Sequence, residues 1–202
     1  MAILQKRRHK QPTELKPYKS IAEKLSADPR FKKLLTLRYV INRKHDIPYL
    51  AGYSENGKTI YLDRKFKPLM ADGTDVTPFL IIHERAEKAA LTLLKLRYQD
   101  ANKIATYLEH KAVTLAGIDW KKYSDFLYPY INKTDRLKIR NVPKDLDLRP
   151  YTDEHDVKHL AAMKKRSKGI DAPIEENKNV KAPIEPIGST DVIDKYAATA
   201  QP

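Results

Sequence analysis

His83, Glu84 and Glu87 stand close together in the stretch Thr77-Pro78-Phe79-Leu80-Ile81-Ile82-His83-Glu84-Arg85-Ala86-Glu87-Lys88-Ala89-Ala90-Leu91. On a helix of 3.6 residues per turn, His83 and Glu87 are one turn apart and project from one face, as two ligands of one cation must. Glu84 falls about 100° round the helix from His83, where a carboxylate reaches a water held by the cation rather than the cation itself. The chain has no cysteine, so a transition-metal site here must use imidazole and carboxylate. Glu109 supplies the third donor from the next predicted helix. The expected centre is a divalent metal, zinc first, held by His83, Glu87 and Glu109, with Glu84 as general base. The cation draws the pKa of its water towards about 7, and the nearby carboxylate takes the proton. Two carboxylates to one imidazole form a hard donor set that also suits manganese or iron.

Several elements must position these residues. Thr77 reads as an N-cap and Pro78 as the first helical residue of a helix over about 77–97. Phe79, Ile82, Ala86, Ala90 and Leu93 form its apolar stripe, with Arg85, Lys88, Thr92 and Lys95 facing away. His83 falls at the edge of that stripe, and Glu87 and Glu84 lie progressively further out. Asp100 caps the following helix, which Gly117 ends, and Ala101, Ile104, Ala105, Leu108, Ala112 and Leu115 make its apolar face. Packed as an antiparallel hairpin, the pair turns Glu109 towards His83 and brings Asn102 onto the same stripe. His110 projects from nearly the opposite side and is the second-choice ligand. A third helix runs from an Asp119 cap through Trp120, Tyr123, Phe126, Leu127 and Ile131. Upstream, helices are expected over about 18–26 and from Arg30 through about Lys44, although Leu37, Tyr39 and Ile41 also alternate as a strand does. Two short β-rich runs, 48–53 and 59–63, flank Ser54-Glu55-Asn56-Gly57-Lys58, and Asn-Gly there signals a hairpin.

Hairpin, His-Glu helix, second helix with its Glu109 and aromatic third helix, spanning about 45–131, together resemble small zincin-like metallohydrolases of the glutamate type. Short phage and prophage proteins of unknown function belong to that group. The resemblance implies a minimal α+β fold, a small sheet backing the active-site helix on three helices, with peptide or protein substrate held along an edge strand. It implies hydrolysis of peptide or amide bonds and a third ligand on the following helix, at Glu109. Glu87 departs from the pattern, standing where the usual H-E-x-x-H has its second histidine.

Of the net charge of +13, residues 1–45 carry +10, with 13 Lys/Arg against 3 Asp/Glu. The excess belongs to the N-terminal quarter, and residues 1–17 read as a flexible basic arm able to contact nucleic acid. Residues 18–131 form the predicted domain. Residues 132–202 read as an irregular, mostly disordered tail with a short helix over about 152–165, where His155 and His159 make a second i,i+4 pair on a polar helix. Ala-Pro-Ile-Glu occurs twice in this tail, at 172–175 and 182–185. No apolar run approaches the roughly 18 residues of a membrane span, and no apolar core follows the basic start, so the expected location is cytoplasmic. The apolar pattern sets no oligomeric state. The rival to a hydrolase is a non-catalytic binding protein that uses the basic arm on nucleic acid or an acidic partner. On that reading, retention on DNA or RNA falls with salt and disappears when residues 1–17 are deleted; retention that survives the deletion rules the arm out.

Overall fold

A computed structural model of the chain describes residues 15–134 and 141–151, with backbone alone at 132–134 and 151. Most of the predicted arm, the 152–165 helix, His155 and His159 lie outside the described residues. Among the described residues the fold is α+β, with five α-helices and a three-stranded sheet. After a 3₁₀ turn at Lys16–Tyr18 come α1 (Lys19–Ala27), α2 (Pro29–Thr36), β1 (Val40–Asn42), β2 (Ala51–Tyr53), β3 (Thr59–Leu62), α3 (Thr77–Leu93), α4 (Tyr98–Leu115) and α5 (Trp120–Thr134). The strand order is β1-β3-β2, with β1 parallel and β2 antiparallel to the central β3.

Local chemistry accounts for most boundaries. Gly57 adopts φ +70° in the hairpin, and the Asn56 side chain accepts from the Lys58 N–H and the Ser54 hydroxyl. Gly117, at φ +75°, ends α4 with the paired bonds Gly117 N–H to Thr114 and Ile118 N–H to Val113, a Schellman closure. Asp119 then caps α5 through the Lys122 N–H at 2.8 Å. Other expectations shift. Thr77 lies inside α3, after Val76, and its hydroxyl accepts from Arg43 while Asp75 takes its N–H. At the far end α3 stops at Leu93, because Lys95 adopts φ 52° and cannot continue the helix. Asp100 lies in the first turn of α4, not at its cap, and accepts from the Tyr18 hydroxyl.

The helix expected to run through Lys44 ends at Thr36, and Val40–Asn42 is a strand. β-Branched Val40 and Ile41 suit an extended backbone, and β3 offers a free edge to pair with. The end of α2 is held by Arg85 of α3. Its guanidinium donates to the carbonyls of Leu34, Leu35 and Leu37, the last at 2.7 Å, and stacks 4.4 Å from the Tyr39 ring centroid. Arg85 therefore does not face away from the core; it is buried. Lys88 is turned inward too, donating to the carbonyls of Ser54 and Glu55 and to Asp147. Glu84 and Glu87, placed by the helical wheel beyond His83, are also buried. The wheel failed because α3 has neighbours on nearly every side: α2, β2 and α4 all pack on it.

Residues 141–151, part of the stretch read as irregular tail, lack regular strand or helix beyond a 3₁₀ turn yet pack on the domain. Val142 and Leu146 join Ile47 and Tyr61 in a second small cluster. Ser54 bridges Leu146, and the Asp147 N–H donates to the Tyr53 carbonyl, which covers the outer edge of β2. Leu15, inside the predicted arm, is buried as well, so an arm deletion that spares the fold stops at residue 14. Among the described residues no helix is long and apolar enough to cross a membrane.

Replacing Arg85 with Met keeps its apolar stem but strands three carbonyls at the α2 terminus. The expected cost is about 3 kcal/mol, read as a lower urea midpoint with an unchanged slope.

Candidate functional site

The site forms where α3 and α4 run antiparallel. One turn along α3, from His83 to Glu87, corresponds to two turns back along α4, from Glu109 to Asn102, and these residues face each other. The Nδ1 atom of His83 lies 2.8 Å from Oε2 of Glu109. The other carboxylate oxygen of Glu109 accepts from the Tyr123 hydroxyl of α5 at 2.5 Å. On the opposite side of the imidazole, Nε2 lies 3.3 Å from the Asn102 amide nitrogen and 3.8 Å from Oε2 of Glu87. The Asn102 amide donates to that same Glu87 oxygen at 3.1 Å.

The cluster is nearly closed to solvent. The side chains of Glu87 and Glu109 are 2% and 1% exposed, against 13% for His83, which is therefore the member within reach of a small ligand. Burial opposes charge on His83, but the Glu109 carboxylate, helped by Glu87 and Glu84, outweighs it and pushes the imidazole up to about 10. Burial and then the Glu109 charge push the Tyr123 phenol well above its usual range, so it stays protonated and donates. Packing holds Tyr123 in place: Phe79 meets it edge-on at 5.7 Å and Trp120 stacks on it at 5.4 Å.

All four predicted site residues lie on α3 and α4, and the structure brings His83, Glu87 and Glu109 into one network. It does not bring the two carboxylates to the same point. Glu109 approaches Nδ1 and Glu87 approaches Nε2, and these nitrogens point away from each other across the ring. Among the described residues no group of three or more His, Asp or Glu is arranged to hold one metal ion. A narrower donor set survives on the Nε2 side. Its separation from Glu87, 3.8 Å, is slightly longer than the about 3.3 Å that two bonds of about 2.05 Å span at a tetrahedral angle. The Asn102 amide nitrogen lies within 3.3 Å of both Nε2 and that Glu87 oxygen, and Glu109 lies behind the ring. Glu84 is buried one residue beyond His83 and acts electrostatically on it.

The other described histidines, His45 and His110, lie elsewhere. His110 turns from His83 and packs edge-on against Trp120 at 4.7 Å, with burial pulling its pKa down. His45 meets the Tyr61 ring edge-on, and the neighbouring Asp46 binds Arg64 and the Asn141 N–H, part of the clasp on residues 141–151. Sequence reasoning took Tyr123 for a core aromatic only. Its signal was present: a tyrosine in an apolar stripe must find a partner for its hydroxyl.

Comparison with known proteins finds no matching family, no matching curated sequence and no matching solved structure.

Removing the Tyr123 hydroxyl, in Tyr123→Phe, leaves a buried carboxylate one donor short. The expected loss is about 1.5–3 kcal/mol. In a double-mutant cycle with Glu109→Gln, a coupling of at least about 0.5 kcal/mol is expected, and additivity would show that the contact contributes nothing.

Proposed function

We propose that the chain is a metal-dependent hydrolase of peptide or amide bonds, with its centre on His83 and Glu87. One observation carries the reading: the chain from Tyr123 through Glu109 to His83 Nδ1 fixes the imidazole so that Nε2 faces Glu87. A carboxylate behind a ligating imidazole orients the ring and raises its basicity. Glu109 is then a positioning residue, not the third ligand. His83 and Glu87 would hold a divalent cation there, and the chemistry it would supply is a water acidified to near neutrality and a polarised carbonyl. Glu84 is the proton acceptor, and Asn102, bonded to Glu87 and beside Nε2, holds the Glu87 carboxylate in position. One imidazole and one carboxylate suit zinc and also manganese or iron. The zincin-like order of elements supports the reaction class, and cleavage of an amide is the matching chemistry.

A second reading rests on the closure of the site. The two carboxylates beside His83 are hydrogen-bonded and almost fully buried, as in a polar network that pins two helices in register. The protein would then be a non-catalytic binder of nucleic acid or an acidic partner through its basic N-terminal arm.

Elemental analysis and metal titration of the full-length protein separate the two. The hydrolase reading expects stoichiometric zinc or manganese, a rise in Tm on adding the metal, and loss of both in His83→Ala but not in His155→Ala. Protein without bound metal and without a thermal shift overturns it and leaves the structural network.

A further inference from the structure

The two edges of the sheet differ. β2 is covered on its outer side by residues 145–147, through the Ser54–Leu146 bridge and the Asp147 N–H on the Tyr53 carbonyl. β1 is the opposite edge, and no described strand pairs with its outer side. The Val40 N–H bonds to the Lys58 carbonyl, and Val40 and Asn42 lie opposite Thr59 and Tyr61 in the parallel register. Peptide groups alternate in direction along a strand, so Ile41, between those two, turns its N–H and C=O to the open side. An unpaired edge of this kind is a template for another extended chain. Its side chains suit that use. Val40 and Ile41 are β-branched and 64% and 39% exposed, and Leu37 just upstream is 45% exposed.

The surrounding charge selects the occupant. Residues 29–45 hold six Lys/Arg and no Asp or Glu. Arg30 is paired with Asp28, and Arg43 donates to Thr77. Arg38 and Lys44 remain exposed at the two ends of β1, with an exposed Lys58 beside them on the hairpin. A second copy of the chain is disfavoured there. Antiparallel pairing centred on Ile41 sets Arg38 of one copy opposite Lys44 of the other, and like charges opposed across strands repel. A nucleic acid would use the charge but neither the Ile41 peptide groups nor the exposed apolar side chains. We propose that the outer edge of β1 docks an acidic, extended segment of a partner protein, which adds as a fourth strand with its carboxylates against Arg38 and Lys44. β3 separates β1 from β2, the strand that packs on α3, so the assignment stands apart from the His83–Glu87 centre and needs no metal.

The test titrates full-length protein into a fluorescein-labelled short peptide that alternates valine and glutamate, with anisotropy as the readout and backbone-amide NMR to locate the site. Saturable binding is expected, with the amide shifts centred on residues 37–44. Replacing the glutamates by lysine, or methylating the backbone nitrogens of the acidic peptide, is expected to weaken binding by about tenfold or more. Ile41→Pro deletes the outward N–H but keeps the ladder bonds of Val40 and Asn42; it is expected to weaken binding by about tenfold with little change in Tm. If its Tm falls sharply, the methylated peptide gives the same answer without altering the protein. Arg38→Glu combined with Lys44→Glu, at exposed positions, should turn the preference towards the lysine peptide. Protein that does not bind the acidic peptide, or binds both peptides alike, overturns the proposal. Undiminished binding of the methylated peptide does so too, because charge alone is then read, as by a nucleic acid. A dimer in sedimentation that Ile41→Pro dissociates would place a second copy on the edge and overturn it as well.

Discussion

The burial of charge on α3 is the constraint around which the rest of the structure is arranged. His83, Glu84, Arg85 and Glu87 lie within little more than one turn of a helix that is covered on nearly all sides. A charge in such surroundings is tolerated only when partners replace the water it has lost. Each neighbouring element supplies one. The end of α2 gives its carbonyls to Arg85, α4 and α5 give Asn102, Glu109 and Tyr123 to the histidine and its carboxylates, and the 145–147 segment gives Asp147 to Lys88.

Those partnerships are directional in a way that apolar packing is not. A leucine in place of Arg85 would fit between α2 and α3 in many relative positions, whereas a guanidinium bonded to three carbonyls at the end of α2, those of Leu34, Leu35 and Leu37, fits in one. The same holds for α4, whose register against α3 is set by contacts at both ends of a stripe, Glu109 at one end and Asn102 at the other. Buried ion pairs are weak sources of stability, but they penalise alternative packings heavily because each leaves a charge unpaired. The α3 charges thus act mainly on which fold forms, and the apolar cluster around Tyr53, Phe79, Leu108 and Tyr123 supplies the driving force.

One network serves two purposes under the proposed function. The hydrogen bonds that fix the helices also fix the direction of His83, and the rigidity needed for packing is the rigidity a ligand-binding imidazole requires. The Tyr53 hydroxyl is one of four buried side-chain polar atoms without a hydrogen-bond partner among the described residues, with His45 Nδ1, Arg85 Nε and Ser124 Oγ.

Features that depend on a few neighbouring residues were legible in the sequence. Asn56-Gly57 made the hairpin, Gly117 ended α4 and Asp119 began α5, because turns and caps depend on local φ values and on side-chain oxygens one to three residues away. The approach of Glu109 to His83, and the turning away of His110, followed from helical period and a short connection. Tertiary structure decided the rest. Val40–Asn42 became a strand because β3 had an edge to fill. Arg85 and Lys88, polar by type and outward by period, turned inward because α2, β2 and residues 145–147 surround a helix that the wheel treated as half exposed. Helical period showed that Glu87 and Glu109 share His83, but only the packed helices placed them on opposite ring nitrogens. A one-dimensional pattern records which face a residue is on; it does not record what that face meets.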